Sequence, residues 1–412
     1  VDVRQRRLVL FVFAAGWLSA AQVGKVPPSL SILRQEFALS LVEAGWFASL
    51  IACVAALLGV ICGLGSARIG LGRSLMAGLM LIGAGSATAV LVSDVVGLLI
   101  ARLFEAFGFV MVIVAAPSLL AVTLADRPLW RQRALIVWGT YMPVGVATMM
   151  LLAPSVLASA GWRSLWLLNA VLCAILFVLI GRSRQSLSAP RSSLSTGPAR
   201  SGSQALSVAQ LGEGLKLTGP WLMGVAFGCY TAIWFVLVTW LPTFAVSHMG
   251  YSLSSASWLM AAAVLLNIAG NLSAQLLASL AVPRWLVLLG VQGLMGSVGW
   301  VVFSSGYPDL ARAGAAILVC GLAGALPATV FSGIPFHARR HEQIAVGNGI
   351  VMQLGSIGTF AGPPAIALIV TYYGGWDAGR WLIPLLAAIG GTAAVFLRGV
   401  EQRIEKQNGL LR

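Results

Sequence analysis

Acidic residues are scarce in this chain: 12 Asp and Glu among 412 residues, with three His, and charged residues of both signs together reach only 9%. A water-soluble domain carries about 25% charged residues, so this chain lacks the polar surface that would coat a globule of its size, and water is not its main solvent. Paired cysteines are also missing. Cys53, Cys62, Cys173, Cys229 and Cys320 fall singly inside apolar stretches, which excludes a disulfide framework and a cysteine-based zinc site. No G-x-x-x-x-G-K-[ST] loop is present to cradle a nucleotide, which argues against ATP-driven pumping by this chain. No nucleophile stands with a base, so no enzyme is read. His248, His337 and His341 fall in loops and form no ligand cluster, so no metal or cofactor is expected; His337 and His341 flank Arg339 and Arg340 in what reads as a solvated basic loop.

What fills the chain instead is apolar sequence, 59% of all residues. A helix needs about 20 apolar residues to cross a bilayer core, and twelve such stretches are legible. The first six run approximately over 8–33, 41–64, 74–92, 95–124, 134–157 and 165–180; the second six over 220–246, 254–280, 285–304, 311–334, 344–371 and 381–397. The first is too long for a cleavable signal and is followed by more of the same. The long polar segment, rich in Ser, Gly and Pro, has the composition of a flexible linker. The expected organisation is therefore an all-α membrane protein: an N-terminal six-helix bundle over 1–181, a cytoplasmic linker over 182–218 and a C-terminal six-helix bundle over 219–412. Weak internal likeness supports two pseudo-symmetric halves. Pro27 and Pro28 end the first span and Leu39, Ser40, Ala44 and Trp46 open the second, while Pro242 ends the seventh and Leu253, Ser254, Ala256 and Trp258 open the eighth. Such repeats point to a transporter with a site near the midplane.

The net charge of +14 needs an account. With both termini cytoplasmic, 20 of the 26 basic residues fall in inner segments, four in outer ones (Arg34, Arg163, Arg312, Arg380), and two, Lys25 and Arg102, inside spans. Acidic residues split almost evenly, so this is the positive-inside asymmetry of membrane proteins, and no nucleic-acid partner is required.

Ionisable groups within spans are expensive and are functional candidates by default. Lys25 and Arg102 lie about 12–14 Å from the outer boundary, with Gln22 and Glu105 one turn deeper on the same two helices. The four can form one cluster of formal charge +1, which favours an anion in a weakly screening environment; Lys supplies a mobile point charge and Arg a planar fork. Two other accounts compete: Arg102 and Glu105 neutralise each other and brace two helices, and Lys25 snorkels to the outer surface. Glu105, the one carboxylate deep within a span, is the natural proton carrier if transport is proton-coupled. In the second half Asn267, Asn271 and Gln275 recur at i, i+4 and i+8, a polar stripe that must face the protein interior as substrate contact or as interhelical hydrogen bonding. Tyr230 and Trp234, four apart, together with Tyr141, Asn348 and Gln353, complete the candidate substrate contacts. Gly355, Gly358, Gly362, Pro363 and Pro364 suit close helix approach and bending, and Tyr372, Tyr373 and Trp376 read as interfacial anchors.

Local motifs carry a family resemblance. Gly63-Leu-Gly-Ser-Ala67-Arg68-Ile-Gly70-Leu-Gly72-Arg73 resembles the G-x-x-x-D-R-x-G-R signature of the major facilitator superfamily, with Ala67 at the usual Asp position, and Arg102-Leu-Phe-Glu105-Ala-Phe-Gly108 resembles its R-x-x-Q-G-x-G element. The resemblance implies that Gly63, Arg68, Gly70 and Arg73 belong to a cytoplasmic gate, and that the halves rock about their site. Gly24-Lys-Val-Pro-Pro28, Ala115-Ala-Pro117, Trp130-Arg-Gln-Arg133, Pro143-Val-Gly145 and Gly161-Trp-Arg163 are similar to elements of cyanate-permease-like and monocarboxylate-type uptake systems, whereas the G-P-x-x-G-G pattern of drug/proton antiporters is absent. The expected function is alternating-access transport of a small organic or inorganic monoanion across a bacterial inner membrane by a monomer, with proton symport as one coupling mode. The alternatives are a proton-driven drug or metabolite efflux antiporter and a non-transporting receptor.

Overall fold

The computed structural model describes residues 3–183, 208–338 and 340–407, with positions 4, 59–68, 208–211, 341 and 342 described by their backbone alone. Among the described residues the chain is entirely helical: α1 (Val3–Gly24), α2 (Val26–Glu36), α3 (Leu41–Ile69), α4 (Leu71–Leu91), α5 (Val95–Thr123), α6 (Pro128–Trp138), α7 (Tyr141–Arg182), α8 (Val208–Leu215), α9 (Thr218–His248), α10 (Leu253–Ser279), α11 (Arg284–Phe303), α12 (Asp309–Leu322), α13 (Ala325–His337), α14 (His341–Tyr373), α15 (Trp376–Gly379) and α16 (Leu382–Gln407). Most of the polar segment expected as a linker, 184–207, lies outside the described residues; α8 falls at its end.

Eleven helical stretches are long and apolar enough to cross a bilayer. One of them, α7, has 42 residues, about 63 Å at 1.5 Å per residue, or twice a hydrocarbon core. It is interrupted at Gly161, whose φ of 73° and ψ of 176° leave the helical region. Nothing crowds a Cβ at that position, so the backbone angle itself is what calls for glycine there. Counted on either side of Gly161, α7 supplies two crossings and the total returns to twelve.

The first and tenth spans are not the continuous helices that the apolar runs imply. Pro27 and Pro28 lack the N–H groups that would bond the carbonyls of Val23 and Gly24, and the helix divides into α1 and α2 at Lys25. Pro327 likewise cannot serve the carbonyl of Ala323, and α12 and α13 separate at Ala323 and Gly324. Interruptions of this kind leave main-chain groups that need other partners.

Contacts group the described chain into two compact units: Val1–Ala38 with Leu57–Ala205, and Leu39–Ala56 with Leu206–Arg412. The core of the first contains Leu8, Val12, Leu75, Ile82, Val112, Leu120, Trp138 and Cys173. Its helices α4 and α5 approach closely because Gly85 and Gly108 have no side chain; a Cβ on Gly85 would lie 2.6 Å from the Ala101 carbonyl, and one on Gly108 would collide with the Gly78 carbonyl. In the second unit α9 and α14 touch along Gly355, Gly358 and Gly362: a Cβ on Gly358 would collide with the Gly228 carbonyl, and Thr231 Oγ1 donates to the Gly355 carbonyl at 2.8 Å. The first half of α3 belongs to this unit, with Trp46 packed on Phe360 at 4.8 Å.

Two expectations are corrected here. Trp376 is not an interfacial anchor: it is 8% exposed and packs among Trp240, Phe244 and Phe303, whereas Tyr372 and Tyr373 do lie at the surface. His337 is not in a solvated loop. It ends α13, buried, because the glycine at Gly219 leaves room for its ring.

Candidate substrate and coupling site

In the first unit the break at Lys25 and the close packing of α4 on α5 converge on one polar cluster. Lys25 Nζ lies 2.6 Å from Glu105 Oε1, and Arg102 Nη1 lies 2.8 Å from Glu105 Oε2. The same guanidinium nitrogen donates to the Gln22 carbonyl at 2.9 Å. Ser86 of α4 accepts from Lys25 Nζ at 3.0 Å and donates to Glu105 Oε1 at 2.7 Å. The Gln22 side chain donates to Asn169 Oδ1. Ser29 Oγ covers the Lys25 carbonyl beside the helix break at 2.8 Å, and the Lys25 ammonium sits 4.4 Å from the centre of the Trp166 ring, a cation–π contact. Gln22, Lys25, Ser86, Arg102, Glu105 and Asn169 are all within 1% of full burial.

Lys25 therefore does not snorkel, and Arg102 and Glu105 do pair along one helix. Glu105 serves both cations at once, so the buried set keeps one surplus positive charge. Its inner edge also keeps a spare donor, because Asn169 Nδ2 makes no hydrogen bond among the described residues. Ser86, Trp166 and Asn169 escaped the sequence reading: each is a lone polar or aromatic residue within an apolar span, with no period or motif to mark it.

In the second unit the amide stripe diverges along α10. Asn267 is buried and its Nδ2 donates to the Cys320 carbonyl at 2.7 Å, the carbonyl left open where α12 ends; its contact with Tyr230 Oη is longer, 3.4 Å. Asn271 is half-buried and bonds back to Asn267 Oδ1 at 3.0 Å, while Gln275 is exposed. Trp234 is buried beside Phe235, its Nε1–H without an acceptor among the described residues. Asn348 is half-buried, and Gln353 donates to the Ala56 carbonyl. Tyr141 is placed apart from the Lys25 cluster: it stacks on Trp138 at 4.6 Å in the apolar core against Gly16, about 13 Å along α1 from Lys25. Of the gate motif, Gly70 has a φ of 98° and starts α4, and Arg73 is exposed; the side chain of Arg68 and its surroundings, with Gly63, lie outside the described residues. Gly161-Trp162-Arg163 forms a staple, with Trp162 Nε1 and Arg163 Nη1 each 2.6 Å from the Glu36 carboxylate and Arg163 reaching the Val90 and Val92 carbonyls.

The model of the Major Facilitator Superfamily matches residues 12–363. The chain belongs to this superfamily. Two curated relatives span nearly its whole length. The "Putative niacin/nicotinamide transporter NiaP" of Bacillus subtilis (strain 168) is 24% identical over 404 residues, 97% of each chain, and the 2-nitroimidazole transporter of Escherichia coli (strain K12) is 25% identical over 390 residues, 89% of this chain and 90% of the relative. Among solved structures, a bacterial homologue of the human lysosomal transporter Spinster, inward-facing and unoccupied, superposes with a TM-score of 0.78 at 14% identity over 98% of both chains. The D-xylose–proton symporter does so with a TM-score of 0.70 at 17% identity, covering 94% of this chain and 96% of that one. The superfamily member described here is a multi-pass membrane transporter of small molecules, not an enzyme.

Proposed function

We propose that this transporter carries a small heteroaromatic monocarboxylate, of the size of nicotinate, across a bacterial inner membrane by alternating access, with a proton as the coupling ion. The observation that carries the reading is the surplus positive charge of the buried Lys25, Arg102 and Glu105 set, with an unused Asn169 donor at its edge. Two cations and a carboxylate are costly to bury, and apolar packing of the same volume serves stability at least as well. The surplus would attract a single anion. Protonation of Glu105 would release both Lys25 and Arg102 to that anion, so binding would take up one proton and the loaded site would carry the same charge as the empty one. Trp166 offers a ring face beside the ammonium.

The relatives' names support the class: niacin, nicotinamide and 2-nitroimidazole are all small planar nitrogen heterocycles bearing an oxygen-containing substituent, and the carboxylate form is the one that matches a net charge of +1. Asn267, Asn271, Tyr230 and Trp234 are proposed to tune selectivity through amide and ring contacts, Trp234 with an unused donor; Gln22, Tyr141, Asn348 and Gln353 are assigned supporting roles.

The test is uptake by proteoliposomes holding the full-length protein. Labelled nicotinate should accumulate when the outside is acidified, with one proton entering per anion by a pH-sensitive dye. Glu105→Gln should abolish the dependence on the proton gradient while leaving nicotinate exchange between preloaded vesicles. Uptake of nicotinate that ignores the gradient in the unmodified protein would remove the proton from the scheme.

A further inference from the structure

The second unit holds a cavity of about 490 Å³ at the turn between α10 and α11, lined by none of the residues discussed above as transport-site candidates. One wall is the start of α11: Pro283, Arg284 and Trp285. The facing wall is the last part of α16, where Arg398, Glu401, Gln402 and Glu405 recur at i, i+3, i+4 and i+7 and so share one helix face. Ala278, Ala281 and Val282 form the apolar floor. This placement fixes the depth. The stretch of α16 before Arg398 contains no charged residue, α10 ends at Ser279 and α11 begins at Arg284. The cavity thus opens where apolar helices give way to charged ones, the level of the lipid headgroups.

Its charges are of both signs and are unequally engaged. Arg284 Nη1 is committed to Glu401 Oε1 at 3.1 Å, and its guanidinium lies over Phe336 at 4.4 Å. Glu401 is buried and also faces His337 Nε2 at 3.5 Å, so of this triad Arg284 and Glu401 line the cavity with their charges already engaged. Arg398 and Glu405 have no ion-pair partner among the described residues. Arg398 only overlies the Trp285 ring, at 5.0 Å. The two lie two turns apart on one wall, about 10 Å along the axis, a distance that long side chains can close around a dipolar group. The uncapped first turn of α11 adds N–H groups beside Arg398, and these favour an anion.

We propose that this cavity binds the headgroup of a zwitterionic aminophospholipid, the phosphate against Arg398 and the start of α11, and the ammonium against Glu405 and the Gln402 amide. A purely anionic lipid satisfies Arg398 but meets two carboxylates; the ammonium of an aminophospholipid turns Glu405 from a repulsive group into a partner. Trp285 and the apolar floor suit the glycerol and first acyl carbons, as aromatic side chains do at membrane interfaces.

The experiment is native mass spectrometry of the full-length protein in non-ionic detergent, titrated in parallel with phosphatidylethanolamine, with phosphatidylglycerol of the same acyl chains, and with soluble glycerophosphoethanolamine. The expected result is retention of phosphatidylethanolamine over phosphatidylglycerol. Arg398→Ala should weaken both lipids by about fivefold. Glu405→Gln should weaken phosphatidylethanolamine alone and erase the preference. Arg398 is exposed and Glu405 half-buried, and an unchanged melting temperature for each variant ties a loss to the site. Equal retention of the two lipids, or a preference that survives Glu405→Gln, overturns the zwitterion assignment. Binding of glycerophosphoethanolamine as tight as that of the lipid would make the ligand a soluble phosphoamine and overturn the lipid assignment.

Discussion

Glu105 is the residue on which the buried cluster balances, and the arithmetic of charge ranks its neighbours. Removing Lys25 leaves Arg102 and Glu105 as a neutral buried pair; neutralising Glu105 leaves two cations close together without the carboxylate they share. Breaking a buried pair so that a charge stands alone costs about 3–5 kcal/mol. Glu105→Ala should therefore lower the melting temperature in detergent clearly more than Lys25→Met, and the double variant should recover part of the loss. Equal effects of the two single variants would mean that the surplus charge is already balanced elsewhere. At this scale the sequence is informative where chemistry is rare: a Lys, an Arg and a Glu inside apolar spans identify themselves, and their spacing anticipates one cluster. Ser86, Asn169 and Trp166 do not, because a serine, an amide or an indole in a membrane helix is common and only packing shows which one meets the ammonium. The same limit hides His337. A histidine next to two arginines looks like a solvated loop until the missing side chain of Gly219 is seen to make room for it.

At the scale of elements the interrupted helices carry the argument. Asn267 covers the carbonyl that the break after α12 leaves open, so Asn267→Ala should cost about 1–3 kcal/mol, the penalty of a buried unpaired carbonyl, while Asn271→Ala, half-buried and bonded back along its own helix, should cost little stability. Thermal unfolding of the two variants side by side checks this order, and a reversed order would assign the structural role to Asn271. Gly358 makes the complementary case. Its Cβ position is occupied by the Gly228 carbonyl, so Gly358→Val should separate α9 from α14 and lower expression or thermal stability where Gly349→Ala, in open space, does neither. Pro27 and Pro28 mark a span end in the sequence, and the glycines of α14 mark points of close approach, because both follow from backbone chemistry; Pro242, expected to end the seventh span, instead lies inside α9, which continues to His248. The apparent single helix across Gly161 shows the opposite lesson: hydrogen-bonding continuity runs through a residue whose φ no ordinary helix adopts, and the sequence, with Gly-Trp-Arg between two apolar runs, separates the two crossings more clearly. Trp376 was misplaced because an indole near a span end suits an interface and a core equally well until Trp240, Phe244 and Phe303 are found around it.

For the whole molecule, composition and periodicity lead to a membrane transporter of the major facilitator type, and the family match and fold neighbours bear this out. Substrate class is set by a handful of side chains, which no composition records, and the class proposed here rests on one unit of surplus charge in a buried cluster. That claim has a direct measurement: the affinity of the purified protein for nicotinate and for its neutral amide, nicotinamide, before and after Lys25→Met. The unmodified protein should bind nicotinate at least about tenfold more tightly, the effect of one weakly screened charge, and Lys25→Met, which makes the cluster neutral, should abolish that preference with nicotinamide binding unchanged. A preference for nicotinate that survives Lys25→Met, or an unmodified protein that does not distinguish the two, would contradict the account.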